Sequence, residues 1–185
     1  VKELLLADAN QLSASHSEYE ATRQQIESAA YETFTLREAD FYDLVFMEAN
    51  DAVWANNQKL VDLLTPKGKS RTLKEVVGRV LKVYPHESPI KVFKQLSEDE
   101  PWFEGCFIIS VRFDPLLMGE LLVRPLTVYE KPAHSPNIRF YLEDGNHRAL
   151  VYAVFLRLHA EKYQPVRVIF SKDWAHLYPW AQLTS

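Results

Sequence analysis

The spacing of apolar residues changes character near residue 100: before it they recur at helical intervals, and after it they gather in β-branched and aromatic runs. Residues 17–33 are polar, with Tyr19, Ile26 and Ala30 loosely spaced, and predict a marginal helix that needs a packing partner. Over residues 36–64 the pattern strengthens. Leu44, Phe46 and Met47, then Val53, Trp54, Leu60, Val61 and Leu64, predict one or two helices divided near Asn50-Asp51, and Pro66-Lys67-Gly68 ends the region. Leu73, Val76, Val77, Val80, Leu81 and Tyr84 form the next helical stripe, closed by Pro85. A short helix is predicted over residues 89–96, followed by the charged turn Glu98-Asp99-Glu100-Pro101.

Beyond Gly105, residues 107–111, 121–129 and 138–142 predict three strands. In the last of these, Ile138, Phe140 and Leu142 alternate with Arg139, Tyr141 and Glu143, which places one apolar row on a sheet face. Leu150, Val154 and Leu158, with Val151 and Phe155 beside them, then predict a long amphipathic helix. Pro165 stops it, and Val166-Arg167-Val168-Ile169-Phe170 predicts a further buried strand. Strand, helix and strand in succession imply a right-handed crossover between parallel strands. The tail over residues 172–180, with Trp174, Leu177, Tyr178 and Trp180, predicts a short helix on the core or an aromatic surface for a partner. The expected fold class is α+β (mixed α/β): a helical extension over residues 1–100 packed on an α/β core over 101–185.

Composition narrows the picture only modestly. With 185 residues, 47% apolar and 25% charged, the chain has ordinary globular character and material for one sizeable core. Its longest apolar stretch, from Ala149 to Leu156, is far too short to span a membrane, and Leu4-Leu5-Leu6-Ala7 is too short for a secretory signal, so the default expectation is cytoplasmic. Cys106 is the sole cysteine, which excludes an internal disulfide and a cysteine-built zinc site. The net charge of −4 conceals an asymmetry: residues 1–64 hold four Lys/Arg against twelve Asp/Glu, while residues 65–94 hold eight Lys/Arg against Glu75 and Glu87 alone. The basic segment could attract a phosphate backbone or an acidic partner; two helix faces of opposite sign packed together would give the same pattern.

The candidate chemistry concentrates in Asp144-Gly145-Asn146-His147-Arg148, between the predicted strand and the long helix. A helix opening straight after a glycine turn presents unpaired backbone N–H groups and the positive end of its dipole, a ready site for a phosphate. Gly145, Asn146, His147 and Arg148 are the candidate phosphate-binding residues, with Arg112 and Arg124 as further donors from strand ends. Glu143 and Asp144 are candidate metal ligands that would bridge Mg²⁺ to phosphate oxygens, and Glu143, His147 and Arg148 are the candidate catalytic set. An unperturbed histidine titrates near neutrality, so His147 suits general acid–base work. The structural alternative has Gly145 supplying the turn, Asn146 capping the helix and Arg148 pairing with Glu143. Pro66-Lys67-Gly68-Lys69-Ser70 imitates a phosphate loop, but Leu63 stands where the earlier glycine belongs. His16, His86, His134, His159 and His176 show no paired ligand spacing.

Residues 107–170 resemble the ParB/sulfiredoxin superfamily. The resemblance is carried by Val111-Arg112-Phe113-Asp114-Pro115, by Leu122-Val123-Arg124-Pro125-Leu126-Thr127-Val128, by Phe140-Tyr141-Leu142-Glu143-Asp144-Gly145-Asn146-His147-Arg148-Ala149, and by Pro165-Val166-Arg167-Val168-Ile169. It implies a ParB/sulfiredoxin-like core with an N-terminal helical extension. Sulfiredoxins carry a catalytic cysteine after the glycine; here Asn146 occupies that position, and an amide cannot replace a thiolate nucleophile. ParB proteins bind CTP at this turn and continue into a helix-turn-helix module; the short stretch after the core leads to the expectation that operator binding is not the role here. The extension, core and aromatic tail together look like plasmid fertility-inhibition proteins. That resemblance implies a cytoplasmic factor, peripheral at the inner membrane through the transfer machinery, which blocks conjugative DNA export. Its implied partners are DNA and the coupling protein, and its implied activities are ATP hydrolysis and Mg²⁺-dependent DNA cleavage. The alternative is a non-catalytic inhibitor that docks on the coupling protein.

Overall fold

The computed structural model describes residues 31–45, 72–126, 140–160 and 162–171. The helices expected over 17–30 and 46–64, the basic turn at 66–70, the strand continuation over 127–129 and the aromatic tail lie outside the described residues. In chain order the elements are β1 (Tyr31–Leu36), α1 (Glu38–Tyr42), α2 (Leu73–Val83), α3 (Pro89–Asp99), a 3-10 turn (Pro101–Phe103), α4 (Glu104–Val111), a second 3-10 turn (Pro115–Leu117), β2 (Leu121–Pro125), β3 (Phe140–Asp144), α5 (Asn146–His159) and β4 (Val166–Ser171). The fold is mixed α+β.

Two helices follow the sequence pattern closely. In α2, Leu73, Val76, Val77 and Val80 are buried while Lys74, Glu75 and Lys82 face outward, and the helix stops before Pro85. In α3, Pro89 occupies the first turn, where its missing N–H costs nothing, and Val92, Phe93 and Leu96 form the buried stripe. Tyr84 at the end of α2 donates its hydroxyl hydrogen to Asp99 Oδ2 at 2.6 Å, tying the two helices together.

The sheet order is β1-β4-β2-β3. β4 runs antiparallel to β1 and parallel to β2, and β2 runs antiparallel to β3. The expected parallel pair on either side of the long helix is therefore not formed: β2 separates β3 from β4, and those two strands run in opposite senses. Ala160 ends the helix in the left-handed region at φ 49°. Tyr152 then accepts the Gln164 N–H at 2.6 Å, and Tyr163 donates to the Leu36 carbonyl at 3.1 Å, so the connector is held against β1 before β4 begins.

Two further expectations are corrected. Residues 107–111, read as a strand, form the second half of α4. The short apolar run Phe107-Ile108-Ile109 does not distinguish the two states by itself, and the preceding Pro101 turn starts a helix that the run continues. Residues 31–36, read as the end of one helical pattern and the start of another, form β1, paired with β4 from Tyr31–Ser171 to Leu36–Val166. The partner strand, not local propensity, sets the state of this Thr-rich segment.

One apolar cluster joins Leu36 and Phe41 through Leu73, Val92, Phe93 and Phe103 to Leu142, Leu150 and Val168. The core thus continues across residue 100. At its centre lies α5, buried without interruption from His147 to Val154. A helix buried on all sides must satisfy its polar residues internally, and this governs the candidate site at its first turn.

Candidate functional site

β3 ends at Asp144 and α5 begins at Asn146, so the whole change of direction falls on Gly145, at φ 88°. Any L-residue would be strained there, and a Cβ would lie 2.4 Å from Leu121 Cδ2 and 3.1 Å from Arg148 Nη2. Immediately before the turn the β2–β3 register shifts: Asp144 faces Leu122 and Leu142 faces Val123, which leaves Glu143 as the extra residue of a bulge. Bulges redirect side chains. Here Glu143 meets Arg124 across the strands.

Arg124 is buried and fully engaged. Its Nε pairs with Glu143 Oε1, its Nη1 donates to the Pro125 carbonyl at 3.0 Å, and its guanidinium carbon lies 4.0 Å from the centre of the Tyr141 ring. Glu143, expected as a metal ligand and catalytic group, is thus a counter-ion to Arg124. Among the described residues no cluster of three or more His, Cys, Asp or Glu is arranged to hold a metal ion. Asp144 is half-buried at the strand end.

His147 packs inward. Its ring stacks on Trp102, with centroids 4.1 Å apart and planes inclined by 20°. Its Nε2 lies 3.0 Å from the Trp102 carbonyl, which can only accept, so Nε2 carries the proton. Burial pushes the imidazole down to about 4 from its ordinary 6.5, against the smaller upward effect of the carbonyl. The ring is neutral at physiological pH. Gly105 provides the room: a Cβ there would lie 2.8 Å from His147 Cδ2.

Arg148 is also buried. Its Nη1 donates to the Met118 carbonyl at 2.7 Å and its Nη2 to the Glu120 carbonyl at 3.1 Å, so one guanidinium holds the chain just before β2. Between those carbonyls Gly119 adopts φ 70°, and a Cβ on it would lie 2.5 Å from Arg148 Nη1. These backbone bonds are not part of the sequence reading, which considers a pairing of Arg148 with Glu143. Asn146 donates from Nδ2 to the Glu143 carbonyl at 3.3 Å, while its Oδ1 is shielded from solvent and has no donor among the described residues. A phosphate would bring that oxygen another acceptor, not the donor it lacks. Arg112 does not leave a strand; it follows the last turn of α4 and is exposed.

The structure therefore assembles Glu143, Gly145, Asn146, His147 and Arg148 around one turn and turns the charged or titratable groups of Arg124, His147 and Arg148 inward. Trp102, Gly105 and Gly119, which complete this arrangement, were not among the candidates. The two glycines were the available signal, since each occupies space that a side chain would deny to His147 or Arg148. Cys106 is buried beneath the same turn, its Sγ 3.9 Å from the His147 carbonyl, and burial pushes its thiol well up, which suppresses thiolate chemistry. Comparison with protein-family models, curated proteins and solved structures finds no match to this chain.

Proposed function

We propose that this protein acts by binding and not by catalysis, as an inhibitor of the plasmid fertility-inhibition kind that docks on the coupling protein of a DNA-transfer apparatus. The target comes from the resemblance in residues 107–170, in particular to fertility-inhibition factors such as the oncogenic suppression activity protein. The mode comes from the site: the imidazole of His147 and the guanidinium of Arg148 are engaged with backbone carbonyls, and a general acid–base group must reach substrate.

The outer side of α4 supports docking. Ile108 is 54% exposed, Val111 follows it three residues later on the same helix side and is similarly exposed, and Arg112 stands beside them. An apolar strip edged by arginine has the composition of a protein-binding patch. The second reading, an ATP- and DNA-phosphate-binding hydrolase using Mg²⁺, retains the left-handed Gly145 turn and the N–H groups of the first turn of α5.

A transfer-inhibition assay separates the readings. Ile108→Asp with Val111→Asp is expected to abolish inhibition while the melting temperature stays unchanged, and Asp144→Asn is expected to retain it. Full inhibition by the α4 variant, together with loss of inhibition and of ATP hydrolysis in Asp144→Asn, would overturn docking in favour of catalysis.

A further inference from the structure

The backbone that Arg148 holds also walls a cavity of about 340 Å³. Pro115, Leu116, Met118 and Pro165 supply apolar sides, and Glu120 and Arg167 are its charged residues. Glu120 is an unusual wall residue. Its side chain is only 8% exposed; one carboxylate oxygen lies 3.2 Å from Arg167 Nη2, and the other is shielded from solvent with no donor among the described residues. A buried carboxylate whose donor among the described residues is an exposed arginine is incompletely compensated, and Glu120 lines a cavity from which another cation can take that arginine's place. The partner it has is loosely held: the Arg167 side chain is 60% exposed, and ion pairs to exposed arginines contribute little.

We propose that this cavity is a binding site for an organic cation, an ammonium or guanidinium group on an apolar stem, with Glu120 as its counter-ion. Arg167 is an internal cation that covers the carboxylate and yields to the ligand. The walls favour this chemistry over an inorganic ion. Magnesium and calcium take several oxygen ligands, whereas one carboxylate among prolines, Leu116 and Met118 suits a charged nitrogen followed by methylenes. Leu116, which lines the cavity, is 81% exposed. The same chemistry is offered by a free amine or by a lysine or arginine side chain of a partner protein.

The test uses the full chain and two probes, agmatine and the peptide acetyl-Gly-Arg-Gly-amide, titrated at low salt by calorimetry and by NMR shifts. The control peptide replaces arginine by citrulline, which keeps the shape and removes the charge. Wild-type protein is expected to bind at least one cationic probe and not the control; the tighter probe identifies the source as free amine or partner side chain. Glu120→Gln is expected to weaken binding roughly tenfold or more, as expected for loss of a charge-assisted bond. Arg167→Gln is expected to tighten it several-fold, because the competing internal cation is gone. A misfolded variant would not gain affinity, so this sign remains decisive even if Glu120→Gln is unstable. Absence of binding by either probe at about 10 mM, unchanged affinity in a folded Glu120→Gln, or weaker binding in Arg167→Gln would each overturn the proposal.

Discussion

At the scale of single residues, His147 and Arg148 have the composition of an active site and the environment of a core. For His147 the folded state binds its proton with a value near 4 against 6.5 in the unfolded chain, so between those values the unfolded state holds more protons. Stability is therefore complete above about pH 6.5 and declines as pH falls towards 4, by at most about 3 kcal/mol from this residue. Urea unfolding across that window should show the decline, and His147→Gln should reduce its slope while lowering stability at pH 7 through loss of the Trp102 stack. Arg148→Ala should cost roughly 3 kcal/mol or more, because two backbone carbonyls lose a charged donor. An unchanged unfolding midpoint in Arg148→Ala would restore the arginine to the pool of functional candidates. The turn itself was legible in the sequence, since few residues other than glycine tolerate the conformation of Gly145. The direction taken by the two side chains was not: their acceptors at Trp102, Met118 and Glu120 lie 45, 30 and 28 residues away along the chain.

At the scale of elements, the helices with an unambiguous stripe were readable and the short apolar runs were not. α2 and α3 each bury one side and end at strong chain signals, so local pattern and tertiary packing agree. In α4 they compete: Phe107-Ile108-Ile109 has strand composition, yet the segment packs as a helix beside α5 and α3. Its buried positions are Cys106 and Ser110, one helical turn apart, Phe107 and Ile109 pack partly on the core, and Ile108 and Val111 face outward. That inversion separates the element's two surfaces for experiment. Exposed Ile108→Asp should change the melting temperature by less than a degree or two, as expected for a surface position. Gly105→Ala, on the inner side, should destabilise by about 1–3 kcal/mol through contact with the His147 ring. Thermal melts of the two variants provide the comparison, and equal losses would place Ile108 inside the core. β1 illustrates the complementary case, a segment whose state depends on β4, 130 residues further on, and so carries little local signal.

At the scale of the whole molecule, the residues before and after position 100 share one sheet and one apolar cluster. β1, from the front of the chain, forms the sheet edge beside β4, and Phe41 packs on Tyr152 and Tyr163 with ring centroids 5.5 and 5.7 Å apart. α2, α3 and α4 all pack against α5, the helix that is buried from His147 to Val154. Removing residues 1–100 would strip away β1, α1, α2 and α3 together and expose that apolar helix, whose own sequence lacks a polar side to present to water. The isolated 101–185 fragment should consequently lack a cooperative unfolding transition and bind a hydrophobic dye, while the full chain unfolds in one step with far-UV and near-UV signals superimposed. A fragment with dispersed NMR amide signals and its own sharp melt would show that the core is divisible. In that event the burial of His147 and Arg148 would rest on Trp102, Met118 and Glu120, all within residues 101–185, and not on the helices that precede them.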